Sequence, residues 1–350
     1  MPARIAFSIL VIVSLTTGAQ SQAVTCTVAA HGQLNFPDAL VMQTGLAVNP
    51  DGAAASYAPG DHGYTYISNG VNLIADGKKI SCSKKANNQL CTDRWKEAEL
   101  GKFGPGTPEF CSFAIAVIAL PGSPPPQTCE GKSYRFILGN GKGQPAPGYQ
   151  VTNIEGQTVT TYLSTTTLMH RVGGEARYVD SSSLPGLVVP EARPDLVGSI
   201  AWVRMGSRST FAIVNDTGPA FGEATVALHE VLQYDTPPPP QPIGPIPLAR
   251  RCSEVETLRI PFVSRPDHGD KDLCRAGRKP TSPSDIRAYG DIPGGVQSVI
   301  LKSVKPPMRG NLATIELTPT SIRETAISAG YDEKRLAAMA DCLNRSAPKR

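Results

Sequence analysis

Ser199-Ile-Ala-Trp-Val-Arg-Met-Gly-Ser-Arg-Ser-Thr-Phe-Ala-Ile-Val-Asn-Asp-Thr-Gly-Pro-Ala-Phe-Gly-Glu-Ala-Thr225 is the stretch from which the fold of this chain is read. Two β-branched and aromatic runs, Ser199–Arg204 and Thr210–Val214, flank the turn Met205–Ser209, as neighbouring strands do. Behind the second run stand Asp216 and Glu223, on either side of a Gly-Pro turn. Only 18% of the chain is charged, so acids beside an apolar run need a reason. One reason is acid–base chemistry, because two carboxyls close together in partly apolar surroundings titrate apart and supply a proton donor and a base. The other reason is local. Asn-Asp-Thr-Gly is good turn chemistry in which Asp216 bonds its own backbone, and Glu223 suits the first turn of a helix opening at Gly222. Residue types alone leave both open.

Working outward, Thr158–Thr166 is β-branched and strand-like, and Arg177–Asp180 and Leu187–Pro190 follow as short segments. Strands this closely spaced point to a barrel or sandwich. Before them, residues 24–130 read as β-structure broken by long turns, with Gly63–Ser68 alternating at period two and Phe113–Leu120 as a buried strand. Gly139-Asn-Gly-Lys-Gly143 resembles a phosphate loop, but Pro145 and Pro147 follow where a helix should open, so it reads as a turn. Glycine (33) and proline (32) are abundant among the 350 residues, which suits short strands and turns.

The expected organisation has four parts. Residues 1–23 read as a signal peptide, with Arg4, the apolar run Ile5–Leu15 and a Ser21-Gln22-Ala23 cleavage site. A main domain spans 24–234. The Pro-rich segment 235–247 is a stiff linker. Residues 248–350 form a small extension, irregular at first, then with helices at Pro319–Ser328 and Glu333–Asn344, the first ended by Gly330 and the second capped by Asp332. The extension carries 18 Lys and Arg against 12 Asp and Glu, whereas 24–247 carries 15 against 18. Eight cysteines fit an oxidising compartment. Five precede the linker and three follow it, so full pairing requires a disulfide between the two regions, and Cys342 staples the last helix to something. The expected location is secreted or periplasmic, without membrane attachment after cleavage.

Several chemistries find no anchor. There is no G-x-S-x-G, His229-Glu230 lacks the second histidine of a zinc helix because Gln233 stands there, His62 and His170 read as turn residues, and no basic-aromatic interleaving suggests nucleic acid. No cofactor or metal is expected.

In sequence order, Asp51-Gly-Ala-Ala-Ala-Ser-Tyr57-Ala-Pro-Gly60-Asp61, Tyr162-Leu-Ser-Thr-Thr166, Arg177–Pro185, Leu187–Pro190 and Phe211–Pro219 with Gly222–Thr225 resemble segments of the glycoside hydrolase family 75 chitosanases. The resemblance excludes 248–350. It implies a mainly-β fold, a double-psi-like β-barrel, and inverting hydrolysis of β-1,4 links in partly deacetylated chitin. Asp216 and Glu223 match the family's catalytic aspartate and glutamate, with Glu223 as acid and Asp216 as base, or the reverse. Asn215 stands where the family has glycine, Thr225 where it has serine, and the spacer between the acids is shorter than in the fungal enzymes. With only Trp95 and Trp202 available, Tyr57, Tyr64 and Tyr162 are the expected sugar-binding aromatics, and Asp180 is a further substrate-binding candidate. The expected partner is a polysaccharide and the expected state a monomer. A second hypothesis is a non-catalytic wall- or glycan-binding protein that keeps the barrel. A third is an envelope or secreted protein whose basic tail docks an anionic partner.

Overall fold

A computed structural model describes Cys26 and residues 33–61, 67–129, 135–152, 158–234 and 292–346. The expected signal peptide and Pro-rich linker, His62, Tyr64, Cys252 and Cys274 lie outside the described residues.

The centre is a closed six-stranded β-barrel built from β1 (Ala39–Asn49), β2 (Gly186–Pro190), β3 (Ile200–Met205), β4 (Arg208–Gly218), β5 (Glu223–Thr225) and β6 (Ile292–Leu301). Around the barrel the order is β1-β5-β2-β4-β3-β6, and β6 closes onto β1. The β1–β5 and β2–β4 pairs are parallel and the other four antiparallel. The β3–β4 hairpin is the pair read from sequence, with Met205 opposite Arg208 across the turn. Leu46, Trp202, Ile213, Val214 and Val299 belong to one core cluster that includes residues from all six strands.

Two features correct the expected organisation. First, the region after the linker is not an appendage: β6 forms the barrel wall between β3 and β1. Its start, Ile-Pro-Gly-Gly-Val296, looks like a turn, yet the ladder absorbs it as a register irregularity between Ile292 and Val296. Leu312–Ala313 also pairs with Met169–Val172 in a second sheet. Second, residues 24–130 are not all β. Helix α1 (Lys85–Leu100) packs on an antiparallel sheet ordered Lys78–Ser81, Val71–Ala75, Glu109–Ser112, Phe136–Leu138. The segment read as a strand at 113–120 holds only a two-residue strand, Val117–Ile118.

The sheet and α1 form a second core, excursing between β1 and β2, around fully buried Trp95. Its ring makes edge contacts with Phe103, Phe110 and Tyr162 at 5.3, 5.2 and 5.8 Å. Helices α2 (Val226–Tyr234), α3 (Pro319–Ser328) and α4 (Glu333–Ser346) contribute residues to the barrel core. Thr318 and Ser321 cap α3 reciprocally, and Asp332 accepts the Arg335 N–H at 2.8 Å near the start of α4. Among the described residues three disulfides are present, Cys26–Cys342, Cys82–Cys91 and Cys111–Cys129. The first joins residues on the two sides of the Pro-rich segment, the kind of bond that full pairing of the eight cysteines would require.

Candidate active site

Asp216 does not sit in a turn. The strand read as ending at Val214 continues to Gly218, and Glu223 opens β5 rather than a helix. The turn and the helix placements read for the acids therefore fail, although Asp216 Oδ1 does accept the N–H of the next residue, Thr217. Between β2 and β4 the register runs Leu187↔Val214 and then Val188↔Asp216, leaving Asn215 as the extra residue of a bulge. On its other side Val188 pairs with Glu223. Leu187 and Val189 enter the barrel core cluster, and Val188 between them does not. Register partners project to one face, so Asp216, Val188 and Glu223 share a face. The two acidic strands stand two spacings apart, about 9–10 Å between backbones.

Gly222 sets the approach to Glu223. Its φ of +111° is a conformation L side chains rarely adopt, and its carbonyl accepts the Ala47 N–H at 2.7 Å, tying the start of β5 to β1. Thr225 fixes the other end. Its hydroxyl donates to the Leu184 carbonyl at 2.9 Å and accepts the N–H groups of Gly186 (2.8 Å) and Leu228 (3.3 Å), the last within the first turn of α2. His229, fully buried on α2, has its two ring nitrogens 3.0 and 3.1 Å from the Thr225 and Leu46 carbonyls, so it ties the helix to the barrel. His170 likewise lies in a strand rather than a turn, and its Nδ1 accepts the Leu317 N–H at 3.0 Å.

Asp216 is only 8% exposed. Its Oδ1 accepts from the Thr167 N–H (2.9 Å), the Thr167 hydroxyl (2.8 Å) and the Thr217 N–H (2.8 Å), and the Asn49 side chain gives a further hydrogen bond. Burial pushes the Asp216 carboxyl above the ordinary range, while these donors pull it back.

A third carboxyl, absent from the sequence-derived site, faces the same pair. Asp51 lies just beyond β1, half-buried, with the Tyr57 hydroxyl donating to its Oδ1 at 2.8 Å. Ser164 accepts the Gly52 N–H at 2.9 Å and also reaches the Asp51 carboxyl. Burial raises Asp51 well above the ordinary range, and the charge of Asp216, then of Glu223, adds to the rise against the Tyr57 hydrogen bond. Gly52 makes this placement possible: its φ is +89°, and an added Cβ would lie 2.0 Å from the Val179 carbonyl oxygen.

The other expected site residues have structural duties. Tyr57 is 1% exposed with its hydroxyl on Asp51, so its ring offers no stacking face. Tyr162 is half-buried against Trp95, and its hydroxyl donates to Glu99 Oε1 at 2.6 Å. Glu99 also accepts from Trp95 Nε1 at 2.7 Å and the Gly60 N–H at 3.2 Å. Burial pushes Glu99 and Tyr162 upward. Asp180 holds its own turn, its Oδ1 taken by the N–H (2.9 Å) and hydroxyl (2.7 Å) of Ser182. The neighbouring Ser181 hydroxyl donates to the Pro50 carbonyl at 2.6 Å. Asp180 thus belongs to the support behind Asp51. Of the three tyrosines expected to bind sugar, Tyr57 and Tyr162 are engaged in these contacts, and Tyr64 lies outside the described residues.

Asp51 stands in Asn49-Pro-Asp-Gly52, polar turn residues near Tyr57 of a kind any exposed turn shares, so nothing local marks it as a site carboxyl. No protein-family model matches this chain, and no curated protein matches it.

Proposed function

We propose that this protein is a secreted glycoside hydrolase that cleaves the β-1,4 links of an amino-sugar polymer, chitosan first, with inversion. The observation that carries the reading is the placement of Asp216 and Glu223 on one face of the barrel wall, either side of Val188. Inversion needs two carboxyls about 6.5–9.5 Å apart, leaving room for a water on the far side of the sugar ring. Two strand spacings supply a separation of that order. The donors gathered on Asp216 favour its ionised form, which suits the base that activates water. Glu223 is then the acid that protonates the leaving oxygen. The double-psi-like relation of the barrel belongs to the same proposal, and the three disulfides suit an exported protein.

A second reading is favoured by one observation. Asp216 is nearly sealed, with Oδ1 filled by two backbone N–H groups and a hydroxyl. A carboxylate so engaged also suits a barrel that binds a glycan without cutting it.

Reducing-sugar release from chitosan, chitin and peptidoglycan separates the two. The wild type is expected to release sugar from chitosan, and Glu223→Gln to lose about 10²–10⁴-fold in kcat with its melting curve intact. Binding of these polymers without release from any of them would leave the glycan-binding reading standing and end the hydrolase one.

A further inference from the structure

We propose that Asp51 is a positioning residue of this site, holding a proton beside Asp216 so that Asp216 stays a carboxylate. The proposal rests on the hydrolase reading only for its activity readout.

The scaffold that fixes Asp216 also fixes Asp51. Asn49 uses its amide twice: Oδ1 accepts the Asp51 N–H at 2.8 Å, and the side chain donates to the Asp216 carboxylate. The segment Ser164–Thr167 does the same from the opposite side, with Ser164 on Asp51 and Gly52 and Thr167 on Asp216. Each carboxyl is therefore tied to one end of the same two braces, and neither relaxes away from the other without breaking them. Asp216 receives four hydrogen bonds as an acceptor, two of them from backbone N–H groups whose direction is fixed. Asp51 receives hydroxyl contacts, which rotate to suit either protonation state. Neither acid forms an ion pair with a described residue. Two carboxylates held together in this way do not both ionise readily, and the proton settles where fewer fixed donors oppose it. That place is Asp51, whose carboxyl burial and the Asp216 charge already push upward.

The groups around Asp51 are few. Tyr57 faces it from its own segment, Asp216 from β4 and Glu223 from β5. Asp180, on the turn clamped to Pro50, is engaged by Ser182, while Glu99 and Tyr162 bond each other behind Tyr57. His229 is taken by backbone carbonyls.

The consequence for stability has a definite sign. A folded-state carboxyl raised above its ordinary 3.8 binds a proton more tightly than in the unfolded chain. Its contribution is present in full below that ordinary value and declines as pH climbs toward the raised one. Asp51→Asn, a permanently neutral isostere, should lack that decline.

The test is a pH titration of the full chain labelled with 13C at aspartate carboxyls, the Asp51 signal being the one missing in Asp51→Asn. The expected midpoint lies well above that of the exposed aspartates, and it falls by about one pH unit or more in Asp216→Asn, which removes the neighbouring charge. An ordinary midpoint in the wild type, or one that does not move in Asp216→Asn, overturns the proposal. In the reducing-sugar assay, Asp51→Asn should retain more kcat than Asp51→Ala and carry its alkaline limb to higher pH. Equal losses in both variants with an unshifted limb also count against it. A titration as expected in a protein that cleaves no polymer would sink the hydrolase reading and leave the proton where it is placed.

Discussion

Asn215 decides which way Asp216 points. Side chains alternate along a strand, so in an unbulged β2–β4 ladder Val188 would pair with Asn215 and Asp216 would take the opposite face. The extra residue restores Asp216 to the face of Val188 and Glu223. The bulge also places the Asn215 side chain beside Gly186, where an added Cβ would lie 2.3 Å from Asn215 Oδ1. Asn215 therefore has a structural counterpart in Gly186. Thr225 acts through its hydroxyl, which makes three hydrogen bonds, to the Leu184 carbonyl and from the Gly186 and Leu228 N–H groups. Thr225→Ser should thus fold with near wild-type stability. Thr225→Val keeps the shape but leaves the Gly186 and Leu228 N–H groups unserved, and should cost about 1–3 kcal/mol in urea unfolding. Equal stability of the two variants would deny the hydroxyl this role.

At the scale of elements, α1 shows why a helix escapes a sequence reading. Its inward stripe is Cys91, Trp95 and Ala98, whereas Leu90 and Leu100 are 43% and 87% exposed. The residues that mark a buried face in a pattern search point outward here, and a disulfide, a tryptophan and an alanine do the packing. The consequence sits on Trp95, which meets three aromatic rings and donates to Glu99. Trp95→Ala should cost about 3–5 kcal/mol, read from chemical denaturation. The same substitution releases a brace on Tyr162, which bridges to Tyr57 behind Asp51. A loss of activity without loss of stability would show that Trp95 acts on the site and not through the packing of the second core. By contrast α3 and α4 were legible, because Thr318-Pro319, Gly330 and Asp332 are local signals whose partners lie within a few residues.

At the scale of the whole molecule, the chain is closed by its own ends. Strand β6 pairs with β1 over Leu40↔Ile300 to Gln43↔Gln297, and Cys26 bonds Cys342 across 316 residues of sequence. A crosslink spanning so long a loop removes much of the freedom of the unfolded chain. Replacing both cysteines, Cys26→Ala with Cys342→Ala, should cost about 2–5 kcal/mol of unfolding free energy. The barrel, which keeps its six strands, should still form at low temperature. A double variant as stable as the wild type would show that the closure rests on β6 alone.

Much of this protein follows from its sequence by short-range physics. The β3–β4 hairpin, the strands at Thr158–Tyr162 and Gly186–Pro190, the two capped C-terminal helices and the need for a disulfide across the linker all rest on neighbours in the chain or on a parity count. Tertiary structure decided the rest. Nothing local in Ile-Pro-Gly-Gly-Val296 reveals that it will close a barrel against a strand some 250 residues earlier. Nothing local in Asn49-Pro-Asp-Gly52 reveals that Asp51 will meet Asp216 and Glu223. Periodicity says which face a residue takes, but only the register of distant strands says what shares that face.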